Sequence, residues 1–225
     1  MKFTLFLNEK LEFEVNEPVA LVECYCFQTN FYHTYDLLPE RGFKDVGRIG
    51  ARKKENWLSE SEYNKIISEA RVRILNYNNE LGLDRFLKMS DEKISACVKE
   101  LCKHVIKKIM RQYVRLSRAT KILHTCYPYI IPIIDDMLQK EYRREINQSW
   151  KEENPSQILI DYYLNLKEPN NRQNLNKVFD DISKNNLGLT KVRVFDILWW
   201  SYLKAKRVQE AGKAGGISIS FSMIR

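Results

Sequence analysis

The chain predicts a mainly helical, single-domain protein carrying a small antiparallel sheet, and three observations predict it. Apolar residues recur at three-and-four spacing through most of the chain after Ser59. Strict alternation of apolar and polar residues is confined to the two ends. No glycine occurs from Leu83 to Leu187, so the central elements must be joined without the residue best suited to left-handed backbone. One core suffices for 225 residues, with room for two helical lobes, and 85–150 is expected to hold the functional residues of one of them.

The first fifteen residues form two short apolar runs, Phe3 to Leu7 and Leu11 to Val15, parted by Asn8-Glu9-Lys10, the spacing of a β-hairpin. Ile217 to Met223 repeats the alternation after Gly212, Gly215 and Gly216. A lone hairpin is marginal in water, so the C-terminal strand is expected to join the N-terminal hairpin in one sheet.

Ser59 with Glu62 has the form of a capping box and predicts a helix through about Asn79, closed by Gly82, with Ile66, Ile67, Ala70, Ile74 and Leu75 inward. Ser90-Asp91-Glu92 opens the next helix, whose apolar stripe is Ile94, Val98, Leu101, Val105, Ile109 and Tyr113. Further helices are predicted at Ile122 to Cys126, Met137 to Trp150, Ser156 to Leu166, Asn174 to Lys184 and Lys191 to Glu210. Asn170-Asn171 and Asn185 to Gly188 read as turns.

A formal net charge of +8 favours an anionic partner, and nucleic acid is the commonest. With 44% hydrophobic and 29% charged residues, the chain lies outside the disordered class. No apolar run approaches the roughly 20 residues needed to span a bilayer, and the N-terminus does not read as a signal peptide, so the protein is expected in the cytoplasm without a membrane partner. Five cysteines without a Cys-x-x-Cys pair support neither a disulfide framework nor a zinc ribbon; reduced thiols and no metal or cofactor are expected. The missing glycines also exclude a glycine-rich phosphate cradle in the central region.

The charge is concentrated. No acidic residue occurs between Glu100 and Asp135, and Lys103, Lys107, Lys108, Arg111, Arg115, Arg118 and Lys121 fall on what reads as one long helix. Such a strip can track a phosphate backbone, or it can pair with acids elsewhere in the fold. It runs through Tyr127, Pro128 and Tyr129 to Asp135 and Asp136. Asp135, partly desolvated by its apolar neighbours, is the candidate general base or charge stabiliser. Asp136 followed by Gln139 is equally a capping-box pattern, which makes one aspartate an N-cap and the other a first-turn charge. Asp196, inside the apolar face of Val194, Phe195, Leu198, Trp199 and Tyr202, reads either as a buried partner of Arg193 or as a second catalytic carboxylate. His124 reads as a core hydrogen-bonding residue, and His33 and His104 have no evident partners.

The stretches Lys121 to His124, Pro128, Pro132 to Asp135 and Arg193 to Trp199 resemble those of a group of uncharacterised bacterial helical proteins distantly similar to helix-hairpin-helix DNA glycosylases. Tyr35-Asp36 and Asp45 to Ala51 extend the likeness toward the N-terminus. The resemblance implies a bilobal, glycosylase-like helical fold and places Asp135 at the position of the aspartate that assists base release. Tyr127 or Tyr129 would then stack on an extruded base. Three features depart from that pattern: the glycine-bearing hairpin is absent, no lysine stands at the position of the amine nucleophile of bifunctional members, and the four-cysteine loop of some relatives is missing. The likeness therefore supports a shared fold more strongly than a shared activity, and leaves non-catalytic DNA or RNA binding, or docking of an acidic protein, as alternatives.

Overall fold

A computed structural model describes residues 1–6, 10–28, 58–110, 115–139, 155–184 and 187–214. The protein is mainly helical. Strands β1 (Lys2–Phe6) and β2 (Lys10–Glu14) form an antiparallel pair whose register sets Phe3 opposite Phe13 and Thr4 opposite Glu12. The outer edge of β1 is covered by asparagine side chains. The Thr4 N–H donates to Asn171 Oδ1 at 2.7 Å, and Asn170 and Asn174 both donate to the Lys2 carbonyl. An amide side chain thus satisfies an edge that a third strand would otherwise occupy. The predicted strand Ile217 to Met223 lies outside the described residues, as do His33, Tyr35, Asp36 and Asp45 to Ala51.

Helix α1 (Pro18–Gln28) follows the hairpin and has no counterpart among the helices expected from sequence. Helix α2 (Glu60–Ile74) opens with the expected capping box: Ser59 Oγ accepts the Glu62 N–H and Glu62 Oε2 accepts the Ser59 N–H at 2.9 Å. It ends earlier than expected, in a 3₁₀ turn over Leu75–Tyr77. Gly82 does not terminate it. Gly82 lies in the first turn of a separate helix, α3 (Glu80–Leu87), where a Cβ would stand 2.6 Å from the Asn76 carbonyl oxygen and from Tyr77 Cα. The glycine is there because two backbones touch.

Helix α4 (Asp91–Leu101), capped by Ser90, continues through a π-helical turn over Cys102–Ile106 and a last α turn over Lys107–Ile109. Met110 then turns extended, with ψ 107°, and Arg115 is again extended, with ψ 170°, before α5 (Leu116–Cys126) begins. The single basic helix is therefore two helices. The reason is legible in the packing, because Ile94, Val98, Leu101, Val105 and Ile109 are buried as one stripe, and α5 buries a different set, Leu116, Ala119, Ile122 and Leu123.

Beyond the central connection come α6 (Pro155–Lys167), α7 (Pro169–Ser183) and α8 (Lys191–Ala214). Asn170-Asn171, expected as a turn, is the first turn of α7, whose N-cap Glu168 accepts the Asn171 N–H at 2.7 Å. Helix α8 runs past its expected end at Glu210 as far as Ala214, so Gly212 lies within it. Every residue from Val192 to Trp199 is buried, so α8 is a core helix on all sides over its first two turns. One hydrophobic cluster runs from Phe3 to Leu203 and includes side chains of every helix. Among the described residues, no helix is long and apolar enough to cross a membrane. No disulfide joins the five cysteines.

Candidate functional site

The break at Met110 divides the basic residues into sets with different surroundings. Lys103 and Lys107 are exposed on the last turns of the α4 segment, one turn apart, and neither meets a carboxylate among the described residues. Lys99, one turn earlier on the same face, is exposed in the same way; in the sequence it falls outside the acid-free stretch, because Glu100 beside it marks the edge. The three positions follow one another at intervals of four residues, about 6 Å of helical rise.

The rest of the strip is engaged. Lys108 turns to α2 and places Nζ 2.6 Å from the Glu69 carboxylate, whose pKa the ammonium lowers. Arg118 is buried, at 6% exposure, and Lys121 is half-buried. Arg115 is exposed at the entry to α5, and Arg111 lies outside the described residues. His104, expected to lack a partner, sits 3.1 Å from Glu100. The six described cations of the strip do not form one collinear phosphate track.

The connection from Tyr127 to Asp135 has little regular structure, yet most of it is buried. Buried backbone polar groups need partners, and here other elements supply them as side chains. Asn78 Oδ1 accepts the Tyr129 N–H, and Thr190 donates to the Pro128 carbonyl at 2.8 Å. Tyr163 donates to the Ile130 carbonyl. The Ile131 carbonyl lies 2.6 Å from His124 Nδ1; a carbonyl only accepts, so Nδ1 carries the proton. The Ile133 N–H donates to Asp196 Oδ2 at 2.8 Å, and the Ile134 N–H to Thr120 Oγ1 at 3.2 Å. Lys121 to His124, Pro132 to Asp135 and Arg193 to Trp199 thus meet in space, and two of their polar members, His124 and Asp196, hold backbone.

Asp196 is 1% exposed, and Arg193 Nη1 stands 3.8 Å from its Oδ2. Burial raises the Asp196 carboxyl to about 7, against the pull of Arg193, the Ile133 N–H, the Tyr162 hydroxyl and His124. Among the described residues its Oδ1 has no hydrogen-bond partner, and the Tyr162 hydroxyl donates to the Val192 carbonyl at 2.9 Å. Arg193 in turn donates to the Tyr25 hydroxyl at 3.0 Å, tying α1 to the same network. Of the two roles open to Asp196 in the sequence, the geometry is that of the buried partner.

Asp135 ends the clamped connection as a helix N-cap. Its Oδ1 accepts the N–H groups of Met137 at 2.9 Å and Leu138 at 2.8 Å, and residues 136–139 are helical. Asp136 is the exposed first-turn charge. Gln139 is buried and donates to the Ile134 and Asp135 carbonyls instead of closing a capping box. The expected helix beyond 139 lies outside the described residues. Burial raises the Asp135 carboxyl above its ordinary value even though the two N–H groups and Lys121 favour its charged form. Lys121 feels the converse: burial lowers its pKa, and Asp135 and Asp136 oppose the shift. The corner is an aspartate with one oxygen committed to backbone, beside a partly desolvated amine.

The two tyrosines differ. Tyr127 is buried at 4% exposure and its hydroxyl donates to the Ile67 carbonyl at 2.9 Å, so its ring is core and has no face to offer a base. Tyr129 is half-buried and keeps part of its surface. Among the described residues, no group of three or more His, Cys, Asp or Glu side chains is arranged to hold a metal ion. No protein-family model, curated protein or solved structure matches the chain.

Proposed function

We propose that this protein binds nucleic acid, duplex DNA in the first instance, through phosphate contacts made by Lys99, Lys103 and Lys107. These three lysines are exposed on one helix face and meet no carboxylate among the described residues, in a chain of net charge +8, and that carries the reading. A solvated face normally mixes both signs for pairing at i,i+4. Contacts of this kind read the sugar-phosphate backbone and carry no sequence preference. Replacement of Lys103 and Lys107 by alanine should weaken binding to all duplexes alike, measured by fluorescence anisotropy.

A second reading is glycosylase-like base release with Asp135 as general base or charge stabiliser. It is favoured by one observation: the carboxyl is raised by burial and commits only Oδ1 to the helix cap. This reading goes with a two-lobed glycosylase-like arrangement, in which the C-terminal segment would join the sheet beside β2, the β1 edge being taken by Asn170, Asn171 and Asn174, and it places Tyr129 rather than Tyr127 against the extruded base. Asparagine caps a helix as well as aspartate does but cannot accept a proton. Asp135→Asn should therefore abolish base release at unchanged stability and duplex affinity if the second reading holds, and change nothing measurable if the first holds alone.

A further inference from the structure

The exposed large apolar side chains among the described residues are Val72, Leu75 and Leu81, with exposures of 84%, 44% and 75%. All three lie at one corner, where α2 passes through its 3₁₀ turn into α3. Val72 is one helical turn before Leu75 and Asn76, Gly82 packs against the Asn76 and Tyr77 backbone, and Arg85 Nη2 donates to the Asn76 carbonyl at 3.3 Å. Leu75 and Leu81 therefore flank the same contact. The corner is preformed, because Asn79 caps α3 by accepting the Gly82 N–H at 2.6 Å and the glycine locks the two backbones together.

The charges around this patch are one-sided. Each acidic residue of the corner is bound to a base on another element: Glu69 to Lys108 at 2.6 Å, Asp84 to Arg172 at 2.7 Å, and Glu80 faces Lys191 at 3.3 Å. Burial also raises the Glu80 carboxyl toward its neutral form. Arg71, Arg85 and Lys88 are exposed and meet no carboxylate among the described residues. The exposed large apolar side chains of this corner thus lie beside charges that, among the described residues, are left cationic. No described residue covers Val72 or Leu81, so none of them requires either side chain to be apolar.

We infer that this corner docks an acidic amphipathic segment of a partner protein, whose apolar side chains cover Val72, Leu75 and Leu81 while its carboxylates meet Arg71, Arg85 and Lys88. An apolar centre discriminates against nucleic acid, whose backbone offers charge without apolar complement, and a small rimmed patch suits a helix laid in place by a few anchors. The inference is independent of the lysine line on α4.

A displayed library of random linear peptides panned against the full-length protein tests it. The expected result is enrichment of peptides combining Asp or Glu with Leu, Ile or Phe at helical spacing. Their affinity should fall at least about tenfold for Val72→Ser/Leu81→Ser and for Arg71→Glu/Arg85→Glu, and be unchanged for Lys103→Ala/Lys107→Ala. These are exposed positions, so thermal melts should show the variants folded. The inference is overturned by recovered peptides without acidic bias, by binding that survives both double substitutions, or by self-association that the serine pair abolishes. Capture of the wild type by anionic vesicles in preference to the peptides would overturn it as well.

Discussion

Asp196 accepts the Ile133 N–H on Oδ2 at 2.8 Å from inside α8, so the backbone two residues before Asp135 is positioned by a buried carboxylate. The same oxygen stands 3.8 Å from Arg193. Removing the carboxylate leaves a buried N–H and a buried guanidinium without it. Asp196→Ala should cost about 3 kcal/mol in urea unfolding near neutral pH.

The same residue makes stability depend on pH. Its folded value of about 7 lies above the value of about 3.9 expected in the unfolded chain. Between those values the folded protein keeps a proton that the unfolded chain has released, so stability falls as pH rises through that window and levels off above it. Denaturation at a series of pH values should show this fall in the wild type and a flatter profile in Asp196→Asn. Arg193, His124 and Tyr162 face the carboxylate from α8, α5 and α6 and should set the midpoint.

Gly82 is fixed by contact with backbone and not by its own backbone angles. Gly82→Ala adds a better helix former, yet its Cβ would meet the Asn76 oxygen and Tyr77 Cα at 2.6 Å. The contact should outweigh the propensity, costing about 2 kcal/mol and lowering Tm by about 5 °C in a chain of this size.

Asp135 separates capping from chemistry by the choice of replacement. Asp135→Asn should leave the melting temperature nearly unchanged, whereas Asp135→Ala should cost about 1 kcal/mol through loss of the bonds to Met137 and Leu138. Comparable losses from both variants would mean that the charge beside Lys121, and not the cap, holds this corner.

Local signals were legible where one residue decides the outcome. The Ser59 and Glu62 box, the Ser90 cap and the buried stripe Ile94 to Ile109 follow from spacing alone. The break of the basic helix was not legible, since residues 103–121 contain neither proline nor glycine and the change of buried face is a tertiary matter. For the same reason charge counting could not tell exposed Lys103 from buried Arg118, or assign Lys108 to Glu69, 39 positions away. Helix α1, from Pro18 to Gln28, escaped because its Val, Leu, Cys and Tyr residues give little amphipathic contrast. Of the two aspartates, the capping pattern pointed to Asp136 through Gln139, but the buried Gln139 amide is occupied with carbonyls and the cap falls to Asp135.

Phosphate contact by the line of lysines can be read from the salt dependence of duplex binding. Removing one lysine that neutralises a phosphate should lower the slope of log affinity against log salt by about 0.9. Lys99→Ala/Lys103→Ala/Lys107→Ala should therefore flatten the wild-type slope by roughly 2 to 3 and weaken binding at least about tenfold near 100 mM salt, while Lys108→Ala, already committed to Glu69, leaves both unchanged. Equal slopes for the wild type and the triple variant, or no salt-dependent binding by the wild type, would contradict the account.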